Sequence, residues 1–319
     1  MTAPDFFIVG SPKTGTTALH EMLRQHPQVF MPELKEPRFL ADDMRPRAGF
    51  EHGPRETGYP TTLEDYLALF ADAAPGQRVG EATTTYLWSR SAAQNIAQLA
   101  PDARIIAILR EPASFLRSLH QAFLKGRNEG ERDFRTALSL ERSRREGRNI
   151  PSTSHRPQLL QYSEHVRYVE QLRRYGERFP PERMLVLIYD DFRSDNAATI
   201  RRMLRFLGVD DSAPIDVTNA NVTDRTVRSW RLKSLLHTVS TGRGPVGAAT
   251  KATVKALTPQ GMRRGAVSSL RRRAVLAPPP PPDEELMLEL RRRFKPEVVA
   301  LSEYLDRDLV DLWGYDRLA

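Results

Sequence analysis

The chain contains no cysteine among its 319 residues. That absence excludes a disulfide framework, a thiolate nucleophile and any cysteine-ligated metal or iron–sulfur centre. Long apolar runs are also missing. Stretches such as Ile105–Leu109 and Met184–Tyr189 fall far short of the roughly 18–20 residues a bilayer span needs. The opening residues lack the basic start and cleavage site of a secretory leader, so a cytoplasmic chain without a transmembrane segment is expected. Aromatics make up only 8% and are scattered. No base-stacking platform stands out, and nucleic acid is not an expected partner. No carboxylate/histidine set with metal-ligand spacing is visible, so no metal is expected.

What is present is an ordinary globular composition with a basic excess. Hydrophobic residues account for 40% and charged residues for 28%, and 48 Lys plus Arg against 40 Asp plus Glu leave a net charge of +8. The excess fits an anionic cofactor or substrate, or weak attraction to a membrane surface, without choosing between them. The length allows one large domain or two small ones.

Strand, turn and helix alternate along the chain. Phe6-Phe7-Ile8-Val9 is a continuous apolar run, Gly10 to Gly15 form a turn, and Thr16–Gln25 has helical spacing. A second unit runs through Arg104–Leu109, then Arg110-Glu111-Pro112 into a helix to Leu124, with Pro112 suited to a first helical position. A third runs through Met184–Tyr189 and Asp190-Asp191 into a helix from Asn196 to Leu207, closed by Gly208. Arg78-Val79-Gly80 reads as a short strand, and Leu63–Phe70, Ser91–Leu99 and Leu159–Phe179 as helices. The expected class is α/β: a P-loop-like three-layer fold with a central parallel sheet flanked by helices. One domain spanning 1–319 is expected, with a basic Pro- and Gly-containing insertion at 225–282 that ends in the stiff run Pro278–Pro282. Beyond it, Asp283 can cap a helix to Phe294, and Pro296 is expected to open another through Leu305.

The turn Gly10-Ser11-Pro12-Lys13-Thr14-Gly15-Thr16-Thr17 follows a strand and opens a helix. Such a loop aims successive backbone N–H groups at one point, and the helix start adds partial positive charge, so it suits a phosphate. In a Walker A loop the lysine follows the second glycine. Here Thr16 stands there, and the lysine lies three residues earlier, at Lys13.

With those residues in view, Phe7–Leu19 (FIVGSPKTGTTAL) resembles the 5′-phosphosulfate loop of sulfotransferases that use 3′-phosphoadenosine 5′-phosphosulfate (PAPS). Lys35-Glu36-Pro37-Arg38-Phe39 is similar to the family's Lys-Glu-Pro-His-Phe segment. Gly80–Leu87 is similar to its Gly-Glu-Ala-Thr-Pro-x-Tyr-Leu segment. Arg104–Leu119 resembles its 3′-phosphate motif, with Arg110 and Ser118 eight apart. The likeness covers nearly the whole chain outside 225–282.

The resemblance implies sulfuryl transfer from PAPS, with PAP as product, to a hydroxyl or amine of a carbohydrate, glycolipid or small natural product. It implies that Lys13 sits near the bridging oxygen and that Thr14, Gly15, Thr16 and Thr17 hold the 5′-phosphate. Arg110 and Ser118 would hold the 3′-phosphate, through a guanidinium fork and a hydroxyl. Glu81 would be the general base, Lys35 would reach the sulfuryl group or the acceptor, and Arg228, in a late basic segment, would contact the nucleotide. Ala82 stands where several animal relatives carry lysine. His120 is a reserve base, whereas His20 and His26 read as helix residues. Two other classes remain at this point: a P-loop kinase or NTPase, for which Asp190 would mimic the magnesium carboxylate, and a non-enzymatic basic binding module.

Overall fold

The computed structural model describes residues 2–46, 59–217, 226–227, 276–277 and 281–318. Contacts divide the chain into two units, residues 1–221 with 283–319, and residues 222–282. The first unit is built on five strands, β1 (Phe6–Gly10), β2 (Val29–Phe30), β3 (Arg78–Ala82), β4 (Arg104–Leu109) and β5 (Met184–Ile188). Their order is β2-β3-β1-β4-β5 and every pairing is parallel. In the second unit, β6 (Thr226–Val227) pairs antiparallel with β7 (Leu276–Ala277).

Strand periodicity splits the core into two layers. Phe7 and Val9 of β1, with Ile105, Ala107 and Leu109 of β4, join one cluster. Phe6 and Ile8, with Ile106 and Ile108, join the other. The first face is covered by α3 (Ala92–Leu99), α4 (Pro112–Gly126), α7 (Tyr168–Gly176) and α10 (Glu284–Leu305). The second face is covered by α1 (Thr16–Arg24) and α9 (Asn196–Leu207). Short helices fill the connections: α2 (Leu63–Ala68), α5 (Phe134–Ser139), α6 (Glu141–Arg145), α8 (Tyr189–Ser194) and the terminal α11 (Leu309–Leu312). This is the expected three-layer arrangement. Among the described residues no helix is long and apolar enough to cross a membrane.

Three local expectations are corrected. Asp283 caps as expected, accepting from the Leu286 N–H, but Pro296 does not open a second helix. It sits inside the single 22-residue α10. A proline removes one intrahelical bond, and here the buried stripe Leu286, Leu290, Phe294, Val298 and Leu301, packed against α4 and α7, carries the helix through. The segment expected as one helix over Leu159–Phe179 consists of 3₁₀ turns at Pro157–Leu160 and Tyr162–Val166 followed by α7. Strand β5 ends at Ile188, so Tyr189, Asp190 and Asp191 begin α8 rather than forming a loop. The basic stretch and proline run of 225–282 lie outside the described residues, apart from the strands of the second unit and Pro281-Pro282.

Gly15 connects fold and site. It is the residue before α1, with φ +85°, and a Cβ there would lie 2.5 Å from Phe192 Cε1. Both the left-handed backbone and the close ring demand glycine. Gly15→Ala is expected to cost about 1–3 kcal/mol of stability, read by denaturant unfolding; an unchanged midpoint contradicts this reading.

Candidate active site

In a parallel sheet every strand delivers its following loop to the same edge. The loops after β1, β3 and β4 therefore emerge side by side. The turn after β1 continues the sheet for one residue, the Ser11 N–H donating to the Ile108 carbonyl at 2.8 Å. The Thr14 hydroxyl then folds back onto the Ser11 carbonyl at 2.5 Å. Lys13, at the crest, is in the left-handed region with φ 64°. Thr14 and Thr16 are buried and Thr17 is exposed. No side chain caps α1, and no acidic residue occupies its first turn. The first-turn amides and helix dipole thus face outward without a carboxylate competitor, a setting that fits a phosphate oxygen.

Arg110 leaves β4 beside this turn. Its Nη1 donates to the Lys13 carbonyl at 3.1 Å, and its Nε donates to Ser114 Oγ at 3.1 Å. Its guanidinium lies 4.8 Å from the centre of the Tyr189 ring. The Tyr168 hydroxyl donates to the Arg110 carbonyl at 2.9 Å. Ser118 is buried in α4, one turn beyond Ser114. The structure therefore brings Lys13 and Arg110 into one place, with Ser114 and Ser118 on the neighbouring face of α4. The sequence reading missed Ser114; its position midway between Arg110 and Ser118 was the available signal.

The third strand brings two carboxylates close together. Glu81, on β3, is fully buried, and its Oε2 accepts from the Tyr66 hydroxyl at 2.7 Å and the Tyr86 hydroxyl at 2.9 Å. Burial pushes its carboxyl up to about 7, against hydrogen bonds from Thr83, Tyr66 and Tyr86, and the charge of Glu36 adds to the rise. Glu36 was not singled out from sequence. Its side chain is 25% exposed and meets Lys35 Nζ at 2.9 Å, Arg38 Nη2 at 3.0 Å and the Thr84 hydroxyl at 3.1 Å. Burial pushes this carboxyl up as well, but the charges and hydrogen bonds of Lys35 and Arg38 outweigh it and hold the group down at about 2. Lys35 is thus tied to Glu36, whose own N–H donates to the Ala82 carbonyl at the end of β3. Two partly exposed cations on one carboxylate were the signal in the Lys-Glu-Pro-Arg run.

The three histidines weighed from the sequence are held by backbone carbonyls. His120 is 3% exposed, donates Nε2–H to the Glu131 carbonyl at 2.8 Å and stacks on Phe134. Its packing in the core corrects its place as a reserve base. His20 and His26 donate Nε2–H to the carbonyls of Pro32 and Asp210. Asp190 accepts from Trp313 Nε1 at 3.0 Å, and Asp191 takes both Arg307 amino groups at 2.6 and 2.8 Å. These carboxylates tie the C-terminal segment to α8, and the Walker-like reading of Asp190 gives way to that role. Among the described residues no group of three His, Asp or Glu is placed to hold a metal ion. Arg228 lies outside the described residues.

A model of the Sulfotransferase family matches residues 4–213. Human carbohydrate sulfotransferase 15 is 30% identical over 166 residues, covering 41% of this chain and 29% of its own length. Human heparan sulfate glucosamine 3-O-sulfotransferase 3B1 is 28% identical over 206 residues, 65% of this chain and 46% of its own length. The chain thus matches less than half the length of these curated relatives. A solved sulfotransferase from Alicyclobacillus acidocaldarius shares the fold, with a TM-score of 0.70 at 24% identity over 98% of this chain and 99% of that one.

The two carboxylates give stability opposite pH dependences. Glu81, raised from 4.5 to about 7, favours the folded state fully below its unfolded pKa, and that contribution is lost as pH rises through 7. Glu81→Gln removes the loss, so the stability of the variant relative to the parent should increase between pH 5 and 8, by at most about 3 kcal/mol. Denaturant unfolding at the two pH values measures it; a pH-independent difference contradicts the assignment.

Proposed function

The chain belongs to the sulfotransferase family, and on that premise we propose that it transfers a sulfuryl group from PAPS to a hydroxyl or amine of a carbohydrate or related small acceptor. The observation that carries this reading is the donation of Arg110 Nη1 to the Lys13 carbonyl at 3.1 Å, which sets the Arg110 guanidinium against the lysine-bearing turn beside an uncapped helix start. The bound nucleotide supplies the activated sulfuryl group. The amides of Thr14–Thr17 and the Thr16 and Thr17 hydroxyls hold its 5′-phosphate. Arg110 and Ser118, with Ser114 between them, hold the 3′-phosphate. Lys13 neutralises charge at the bridging oxygen as the sulfur–oxygen bond lengthens, and such a fixed donor contributes roughly 2.7–4 kcal/mol in comparable sites. Arg228 completes the nucleotide contacts.

The acceptor needs a base, and exposure separates the two carboxylates. A base must reach the proton it removes. Glu81, the residue expected from sequence, has no exposed surface, whereas Glu36 keeps a quarter of its side chain open. Glu36 therefore takes the proton in this reading. Lys35, which holds it at 2.9 Å, turns toward the incoming sulfuryl oxygens, and the loss of that counter-charge makes Glu36 a stronger base. A carbohydrate acceptor is favoured by the names of the curated relatives and fits the basic pair Lys35 and Arg38 at the opening. The kinase reading loses its support, since Thr16 occupies the lysine position and Asp190 is held by Trp313.

Calorimetry with PAP tests the nucleotide half. Lys13→Ala and Arg110→Ala should each weaken affinity by about tenfold or more, and unchanged affinity in both contradicts the donor assignment. Transfer of radiolabelled sulfate from PAPS to desulfated heparin tests the other half. Glu36→Gln should retain PAP affinity and lose turnover by about a hundredfold or more; full turnover contradicts its role as base.

A further inference from the structure

Glu36 and Arg38 both lie in the left-handed region, at φ 60° and 58°, although neither is glycine. Such a conformation persists only where the surroundings over-determine it. Glu36 also precedes a proline, which narrows its backbone further. What holds the segment is a row of bonds to the chain after β3. The Glu36 N–H donates to the Ala82 carbonyl at 3.0 Å. The Arg38 N–H donates to the Thr83 hydroxyl at 3.3 Å, and the Leu40 N–H to the Tyr86 hydroxyl at 3.1 Å. The Phe39 ring stacks on Tyr66 with centres 4.8 Å apart.

Two of these anchors lead to one carboxyl group. The hydroxyls of Tyr66 and Tyr86 donate to Glu81 Oε2. A hydroxyl fixed by donating to Glu81 presents its lone pairs outward, and the Leu40 amide uses one of them. We infer that Glu81 is a positioning residue: from within the core it orients Tyr66 and Tyr86 so that Lys35–Leu40 keeps the strained path that sets Glu36 between Lys35 and Arg38. The inference rests on the proposed role of Glu36 but is measured separately from it. The charged groups facing Glu36 are Lys35, Arg38 and Glu81 itself.

Glutamine can keep the arrangement, because its oxygen still accepts from both tyrosines. Leucine cannot. Tyr86→Phe removes the link to Leu40 without touching a charge, and stands in should Glu81→Leu not fold. The measurement is carbon NMR of side-chain-labelled glutamates in the full chain, assigned with Glu36→Gln and Glu81→Gln. It is accompanied by PAP calorimetry and by transfer to desulfated heparin.

In the parent the Glu36 carboxyl titrates low, near 2. Glu81→Gln should leave that midpoint in place and turnover within about threefold. Glu81→Leu and Tyr86→Phe should raise the midpoint by about one pH unit or more and lower turnover while PAP affinity holds. A purely stabilising core residue would lower the melting temperature and leave the midpoint where it was. The inference is overturned if both of those variants leave the Glu36 midpoint in place, or if Glu81→Gln loses turnover as fully as Glu36→Gln, which would make Glu81 the base. Failure of the proposed function reads differently: Glu36→Gln would retain transfer, whatever the NMR midpoints do.

Discussion

The parallel pairing of β1 with β4 is the constraint on which the site depends. The two strands pair from Phe6 opposite Arg104 to Ile8 opposite Ile106, then shift by one residue so that Gly10 faces Ala107, and their following residues leave the sheet as neighbours. That is why Lys13 and Arg110, 97 positions apart in the chain, share a hydrogen bond at 3.1 Å. The strands are buried on both faces and cannot slip by one residue without turning Phe6, Ile8, Ile106 and Ile108 into the wrong layer. The core thus fixes where the Arg110 guanidinium meets the turn that carries Lys13, and helix α4, started by the cap Glu111, carries Ser114 and Ser118 to the same side.

A second half of the site grows from β3, and there charge is managed by burial and pairing in opposite senses. Glu81 lies inside the core with only hydroxyl partners, and desolvation raises it toward neutrality. Glu36, one loop away, meets Lys35 and Arg38 and stays ionised. The chain so places a fixed, low-polarity anchor behind a charged and partly open group. The cationic half and the carboxylate half meet at the strand ends of β1 and β3, which are themselves paired from Phe6 opposite Gly80.

Much of this was legible in the sequence, because the signals were local. The apolar runs of β1, β4 and β5, the Gly10–Gly15 turn and the Pro112 helix start announce themselves through periodicity and backbone preference. The lysine ahead of the turn's second glycine separates the loop from that of an NTPase on sequence alone. What was not legible depended on contacts distant in sequence. Glu81 and Glu36 look alike as letters, and only the packing of Tyr66 and Tyr86 over one of them sets them apart. Pro296 looks like a helix boundary until the buried stripe on either side of it is seen to pack on α4 and α7. His120 looks available until Phe134 and the Glu131 carbonyl enclose it. In each case tertiary burial overrides a local cue.

The central claim is that Lys13 and Arg110 grip two ends of one nucleotide. The most direct measurement is calorimetry of the Arg110→Ala variant and the parent with PAP and with adenosine 5′-monophosphate, which lacks the 3′-phosphate. The account predicts that the parent prefers PAP strongly and that the variant binds the two nucleotides with nearly equal affinity. A variant that keeps the parent's full preference for PAP would contradict it.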